Sequence, residues 1–355
     1  LKSSNKTTYN GNYGLNAQWT VYNGSKRLKT IEQEKLNNRV ADLDVATSEN
    51  DIEQSIAQVY IQILYAAESV KVNENTLQVS EAQRDRGKQL LDAGSIARSD
   101  YAQLEAQVST DRYQLVTAQA TLQDYKLQLK QLLELDGEQE MQVYLPALGD
   151  ENVLSPLPTK TDVFRSAVAL RPEIEASKLS VEASELGIGI AKSGYLPSVS
   201  LTAGIGTNHT SGSDFTFGEQ VKNGWNNSIG LSISVPIFNN RQTKSAVEKA
   251  KLQYQTSQLT LLDEQKTLYK TIEGLWLDAN SAQQRYAAAI EKLHSTQTSY
   301  ELVSEQFNAG MKNTVELLTE KNNLLQAQQE LLQSKYMAIL NTQLLKFYQG
   351  DKITL

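Results

Sequence analysis

The chain has 355 residues, with 41 acidic against 34 basic side chains and a net charge of −7. Phosphate binding needs a concentrated basic face, so this balance excludes nucleic acid as a partner. There is no cysteine, which removes disulfides, thiolate metal sites and thiol catalysis. No stretch approaches the roughly 18 apolar residues of a membrane-spanning helix, so any membrane crossing falls to strands.

The first predicted strand covers 13–22, where Tyr13, Leu15, Ala17, Trp19 and Val21 alternate with Gly14, Asn16, Gln18 and Thr20. Period-two alternation marks a strand with two unlike faces. A long helix is predicted over 25–92, because Ile52, Ile56, Val59, Ile63, Ala66, Val70 and Leu77 step by fours and threes. At 1.5 Å per residue it is about 100 Å long, which no compact globular enzyme requires. Ala93 and Gly94 follow, where a left-handed helix cap favours glycine. A shorter antiparallel arm is predicted over 96–135, with Tyr101, Val108, Leu115, Leu122 and Leu129 stepping by seven. A seven-residue apolar repeat of this length predicts left-handed coiled-coil packing.

Residues 136–160 carry Pro146, Pro156 and Pro158 and read as an irregular linker. A helix is predicted over 161–192, with Pro172 in a first turn. Strands follow at 195–206 and 228–238, where Ile229, Leu231, Ile233, Val235 and Ile237 alternate with Ser228, Gly230, Ser232 and Ser234. Between them Thr207 to Gly224 reads as a loop rich in Gly, Ser and Asn. A second long helix (240–308), a second turn at Ala309 and Gly310, and a second arm (312–350) with Leu317, Leu324, Leu331, Ala338 and Leu345 complete the chain.

These elements are one unit written twice. Shifted by 216 residues, Gly14-Leu15 falls on Gly230-Leu231, Ile56 on Ile272, Ala66 on Ala282 and Ala93-Gly94 on Ala309-Gly310, without a gap. Ordinary loops collect insertions, so a register this long implies an almost loop-free unit. The same shift places counterparts of Thr161 to about Phe215 at about −55 to −1. One helix and one strand of the first copy are therefore expected to precede Leu1, leaving three strands here rather than four. The first repeat is 1–135 and the second 161–355. The fold class is mainly α with a small antiparallel β part.

Strands of about ten residues, aromatic near their ends and small-polar on one face, fit a membrane barrel with a wet lumen. On the strands alone a soluble sandwich hairpin fits equally well. Placement favours the barrel, since each copy sets a strand directly before a helix of about 100 Å. An open sheet edge in lipid leaves backbone groups unpaired, so several chains would have to share one barrel. Tyr13, Trp19, Tyr195 and Trp225 are the expected aromatic belt.

The chain resembles the TolC outer-membrane efflux protein family. The resemblance rests on Leu170-Arg171-Pro172-Glu173-Ile174, on Gly194-Tyr195-Leu196-Pro197-Ser198-Val199-Ser200-Leu201, on Ser234-Val235-Pro236-Ile237-Phe238-Asn239, and on the turns Leu91-Asp92-Ala93-Gly94 and Phe307-Asn308-Ala309-Gly310. It implies a homotrimer with four strands per chain, an outer-membrane barrel of about twelve strands in contact with lipid, and a helical barrel in the periplasm. It implies no cofactor and no enzymatic activity. The helix ends would form an entrance that docks a periplasmic adaptor and, through it, an inner-membrane pump, with Ala93, Gly94, Ala309 and Gly310 as the adaptor-contacting turns. Glu316 falls on the family's acidic entrance position and Lys312 on its basic one. Thr319 stands where the family often has a second acid, with Glu320 adjacent, and Arg98, Ser99 and Asp100 occupy the matching stretch of the first copy. Plain helix capping and a solvated helix face compete with gating for these residues.

No catalytic constellation emerges. His209 and His294 have no partner by spacing, and Gly204-Ile205-Gly206 lacks the third glycine and following helix of a dinucleotide fingerprint. The rival class is a periplasmic coiled-coil adaptor or scaffold. An adaptor carries one hairpin between small β domains, whereas this chain carries two equivalent hairpins, each preceded by a strand.

Overall fold

The computed structural model describes residues 7–136, 141–146, 149 and 153–353, so part of the linker at 136–160 lies outside the described residues. In chain order these form β1 (Asn10–Asn23), α1 (Lys26–Asp92), α2 (Arg98–Leu132), α3 (Lys160–Leu170), α4 (Pro172–Lys192), β2 (Ser198–Thr210), α5 (Phe217–Asn223), β3 (Asn226–Ser234), α6 (Gln242–Asn308) and α7 (Thr314–Gln349). The helix expected over 161–192 is two helices. Arg171 is extended (φ −74°, ψ 126°) and Pro172 opens α4. Proline pushes the residue before it out of the helical region, yet suits a first turn. Both long helices begin after two consecutive left-handed residues, Gly24 and Ser25 (φ 65° and 63°) before α1 and Asn240 and Arg241 (φ 51° and 64°) before α6. The 216-residue duplication thus extends to the backbone conformation of the strand-to-helix junction.

The chain divides into two compact units. The first comprises Leu1–Leu43 and Glu175–Asp263 and holds an antiparallel sheet in the order β1-β2-β3. A 3-10 turn at Ser193–Tyr195 precedes β2, so Tyr195 is not on the strand expected from 195. β3 stops at Ser234 rather than continuing to 238, because Pro236 has no N–H to give a ladder. The expected loop at 207–224 is shorter than the sequence suggested, since β2 runs on to Thr210 and α5 fills much of the remainder. Gln33 Nε2 donates to the Ala183 carbonyl at 2.7 Å, joining the start of α1 to α4. Thr243 Oγ1 donates to the Gly194 carbonyl at 3.3 Å, joining α6 to the 3-10 turn.

The second unit comprises Asp44–Ile174 and Glu264–Leu355. Its core packs Ile61 and Leu64 of α1 with Ala282 and Tyr286 of α6, and with Tyr336, Ala338 and Ile339 of α7. Val153 of the linker is fully buried among them. Polar side chains fix the described linker backbone by supplying the bonds that regular structure would otherwise give. Tyr60 donates to the Tyr144 carbonyl at 2.7 Å, Gln283 to the carbonyls of Val153 and Ser155 at 2.8 Å each, and Trp276 to that of Pro158 at 3.0 Å. Arg171 is buried with its guanidinium against the rings of Phe347 and Tyr348, 4.2 and 4.1 Å from their centroids.

Candidate functional site

In the sheet, hydrogen-bond register decides which side chains share a face. Leu15–Ile205–Asn227, Ala17–Ala203–Ile229, Trp19–Leu201–Leu231 and Val199–Ile233 form successive rows on one side, apolar but for Asn227. Gly14–Gly206–Asn226, Asn16–Gly204–Ser228, Gln18–Thr202–Gly230 and Thr20–Ser200–Ser232 form the other. One face is therefore apolar and the other small and polar. The middle rows of the apolar face are uncovered, with Ile229, Leu231 and Ile233 exposed by 84, 66 and 64 %. From Val199 to Ile205 these rows span seven residues of β2, and the row of Tyr13 and Thr207 extends this side to nine, against the roughly 9–11 that a tilted membrane strand uses. All four expected belt aromatics, Tyr13, Trp19, Tyr195 and Trp225, are exposed. Alternation read straight through Val21 needs correcting. The register shifts between Thr20 and Tyr22, so Val21 is the extra residue of a bulge and Tyr22 pairs with Val199. Tyr22 thus enters the row of Val199 and Ile233.

At the other end of the long helices the two turns have the same geometry. Gly94 (φ 74°) donates to the Leu91 carbonyl at 2.9 Å and Ser95 to that of Leu90 at 2.8 Å. Gly310 (φ 75°) donates to Phe307 at 2.9 Å and Met311 to Gln306 at 2.8 Å. These paired bonds satisfy the last carbonyls of α1 and α6 with a left-handed residue between them. A Cβ at either glycine would meet no atom within 4 Å, so the demand for glycine is conformational rather than steric. Gly310→Ala is expected to cost about 1–2 kcal/mol, read as a lowered urea midpoint of the helical signal. An unchanged midpoint would show that the turn relaxes without loss.

Lys312 and Glu316 meet across the start of α7 rather than on one helix face. α7 starts at Thr314, with Asn313 as its cap and Lys312 ahead of it. Glu316 Oε2 accepts from the Asn313 backbone N–H at 3.1 Å, while Asn313 Oδ1 accepts from the Glu316 N–H at 2.9 Å. Lys312 Nζ donates to Glu316 Oε1 at 2.5 Å. The Lys312 ammonium, then the Asn313 N–H, hold the Glu316 carboxyl below its usual range. Asp100 repeats the arrangement in the first copy, accepting from the Ala97 N–H at 3.3 Å, although alanine offers no side-chain acceptor in return. Arg98 is the first residue of α2, and Glu320 accepts from Asn323 at 3.5 Å. Asp92 is held by Lys88 at 3.0 Å. Among the described residues no hydrogen bond or ion pair joins Lys312 or Glu316 to Asp92, Asp100, Arg98 or Glu320.

Sequence reasoning missed a buried polar cluster. Lys321 of α7 donates to Ser80 of α1 and to Asp111 of α2, and Ser80 donates to the same Asp111 oxygen. All three are at most 3 % exposed. Gln107 adds a donor to the other Asp111 oxygen at 2.9 Å. Burial pushes the Lys321 ammonium below the usual lysine range, although Asp111 pulls the other way. The signal was present in the pattern. Asp111 sits at the core slot between Val108 and Leu115, and Lys321 at the slot between Leu317 and Leu324.

Among the described residues no group of three or more His, Cys, Asp and Glu is placed to hold a metal ion, and no helix is long and apolar enough to cross a membrane. His209 packs its ring against Phe217 at 5.0 Å.

The fold agrees with comparisons to known proteins. The chain is 25 % identical over 335 residues to Outer membrane protein TolC of Escherichia coli, covering 91 % of this chain and 66 % of that protein. It is 26 % identical over 352 residues to Cation efflux system protein CusC of Escherichia coli, covering 96 and 72 %. It thus spans about two thirds, or somewhat less, of the first curated relatives it matches. Among solved structures, CusC superposes with a TM-score of 0.82 at 20 % identity, over 98 % of this chain and 80 % of that one. The CmeC outer membrane channel of Campylobacter jejuni gives 0.78 at 18 % identity, over 98 and 79 %. Likeness at these identities establishes the fold. The outer membrane efflux protein model matches residues 2–134 and 163–350, most of the sequence, and the chain belongs to that family.

Proposed function

We propose that the chain is a protomer of an outer-membrane exit duct, a passive conduit from periplasm to exterior with no enzymatic chemistry. The observation that carries this is the sheet: among the described residues, three strands with an apolar face bare over its middle rows, an opposite small-polar face and two edges that no strand pairs. In water the apolar face is a liability; in lipid it is a solvent match, provided the edges are paired. Copies arranged about one axis pair those edges and turn the polar face into a wet lumen, and three copies suit the family. The strand ends at Asn23 and Ser234 continue into α1 and α6, so in this reading the helices lie on the periplasmic side. The turns at Ala93–Gly94 and Ala309–Gly310 then face a periplasmic adaptor and, through it, an inner-membrane pump. The relatives' names, which include Alkaline protease secretion protein AprF and Cation efflux system protein CusC, support a duct whose cargo is chosen by its pump. Native mass spectrometry in detergent should report a trimer, and planar bilayers should show discrete conductance steps. A stable monomer that does not conduct would return the chain to the scaffold class.

Lys312 and Glu316 are the proposed entrance residues. Threefold symmetry would bring three Glu316 carboxylates into one narrow ring, where they attract cations and repel one another. The Lys312 bond balances that repulsion, so Lys312→Ala is expected to raise resting conductance. Glu316→Ala is expected to lower cation selectivity and block by multivalent cations. Because the folded carboxyl lies below its ordinary value, its charge and its contribution to stability are present above the unfolded value of about 4.3. Both are lost only as pH falls through the lowered folded value. Cation selectivity should therefore persist at about pH 4.3 and fade below it. Variants that conduct and select like the parent would make these residues only a helix cap.

A further inference from the structure

α5 bends the β2–β3 connection back onto the sheet instead of leaving it free. Gln220 Oε1 accepts from the Thr210 N–H and Gln220 Nε2 donates to the Phe215 carbonyl, each at 2.8 Å. Thr207 Oγ1 donates to the Val221 carbonyl at 2.9 Å. A capping box between Thr216 and Glu219 starts the helix. The register settles which face α5 covers. Tyr13 pairs with Thr207 and Gly11 with His209, so Thr207 and His209 lie on the side of Leu15, Ile205 and Trp19. The Phe217 ring meets Tyr13 edge-on at 6.2 Å and His209 at 5.0 Å. α5 therefore packs on the apolar side only over its last rows, at the end of the sheet opposite the ends that enter α1 and α6.

On the polar face such a helix would constrict the lumen, and standing free it would be a solvated loop. It does neither. Phe215, Phe217 and Trp225 stay exposed beside Tyr13, interleaved with Glu219, Gln220 and Lys222. Aromatic rings with polar neighbours, set at the rim of an apolar band, match the chemistry of the layer between acyl chains and water. We propose that α5 is an interfacial anchor. It lies in the headgroup layer of the outer leaflet, with Phe215, Phe217 and Trp225 at the acyl boundary, and its partner is the lipid surface. The proposal rests on the duct reading and adds a depth for this connection.

The absence of cysteine makes single nitroxide labels clean reporters of depth. A Cβ at Gly218 of α5 meets no atom within 4 Å, so Gly218→Cys perturbs little. Ile229→Cys reports the middle of the apolar face. In phospholipid vesicles the full chain is probed by collision with oxygen, which favours acyl chains, and with a water-soluble nickel chelate. The expected result is oxygen-dominated relaxation at 229 and comparable collision with both agents at 218. Phe217→Ser should then raise chelate collision at 218 severalfold and leave 229 unchanged. Free chelate collision at 218 with 229 still in lipid would overturn the anchor and spare the duct. Oxygen dominance at 218 equal to that at 229 would place α5 among the acyl chains and also overturn it. Chelate access at 229 would remove the duct reading, and the anchor with it.

Discussion

Lys321→Met is expected to destabilise the helical unit by about 3–5 kcal/mol, more than loss of either hairpin glycine. Lys321, Asp111 and Ser80 are each at most 3 % exposed. Removing the ammonium leaves the Asp111 carboxylate buried with only the Ser80 hydroxyl and the Gln107 amide as donors. The cost is that of an uncompensated charge, not of one hydrogen bond. Lys321→Met combined with Asp111→Leu should recover most of it, because two apolar side chains of similar volume need no desolvation. The Ser80 hydroxyl can then turn to the carbonyl of Thr76 one turn back. Urea midpoints of the two variants decide the matter. A single variant that loses under about 1 kcal/mol, or a double variant no better than the single, would sink the argument.

The cluster also explains how a duplicated chain keeps its two hairpins in order. Under the 216-residue shift Ser80, Asp111 and Lys321 correspond to Thr296, Ala327 and Glu105, so the second copy cannot build the same cluster. α7 is tied to α1 and α2 through a contact that its own repeat partner cannot replace. Polar residues at core slots of a heptad pattern commonly fix register at a cost in stability.

How much was legible follows from which forces act locally. The two long helices, their glycine turns and their duplication follow from periodicity and from the left-handed cap, which are local properties. The break at Pro172 was visible only as a first-turn proline, since ending α3 depends on the conformation that proline imposes on Arg171. The bulge at Val21 was hidden because alternation alone does not report which residue pairs across the ladder. α5 had a local signal, the Thr216–Glu219 box, masked by the Gly- and Ser-rich composition around it. The sequence placed Lys312 and Glu316 four residues apart, but the cap at Asn313 decided that they meet across the helix start. Asp111 and Lys321 were visible as polar intruders in apolar slots, but only tertiary packing names one as the partner of the other.

Ile229→Arg is expected to be the most damaging single change in the sheet, at about 2–4 kcal/mol, although the folded chain gives it almost nothing to disrupt. Ile229 is 84 % exposed, and an exposed residue without packing partners normally tolerates substitution within about 0.5 kcal/mol. The cost appears only if the surrounding medium is hydrocarbon. Ile229 belongs to the row Ala17–Ala203–Ile229, the middle of the five that run from Tyr13–Thr207 to Val199–Ile233. With that face in lipid, the row would lie farthest from either headgroup layer, so an arginine there would have the longest reach to water. Ser228 is the next residue and belongs to the polar row of Asn16 and Gly204. Ser228→Arg should insert normally and change conductance instead, because it adds charge to a wet lumen. The two neighbouring substitutions therefore separate a lipid-facing side from a lumen-facing side, read by refolding into vesicles and by bilayer conductance. Equal tolerance of both arginines would mean that neither face meets lipid, and the sheet would be a soluble hairpin on a coiled-coil scaffold.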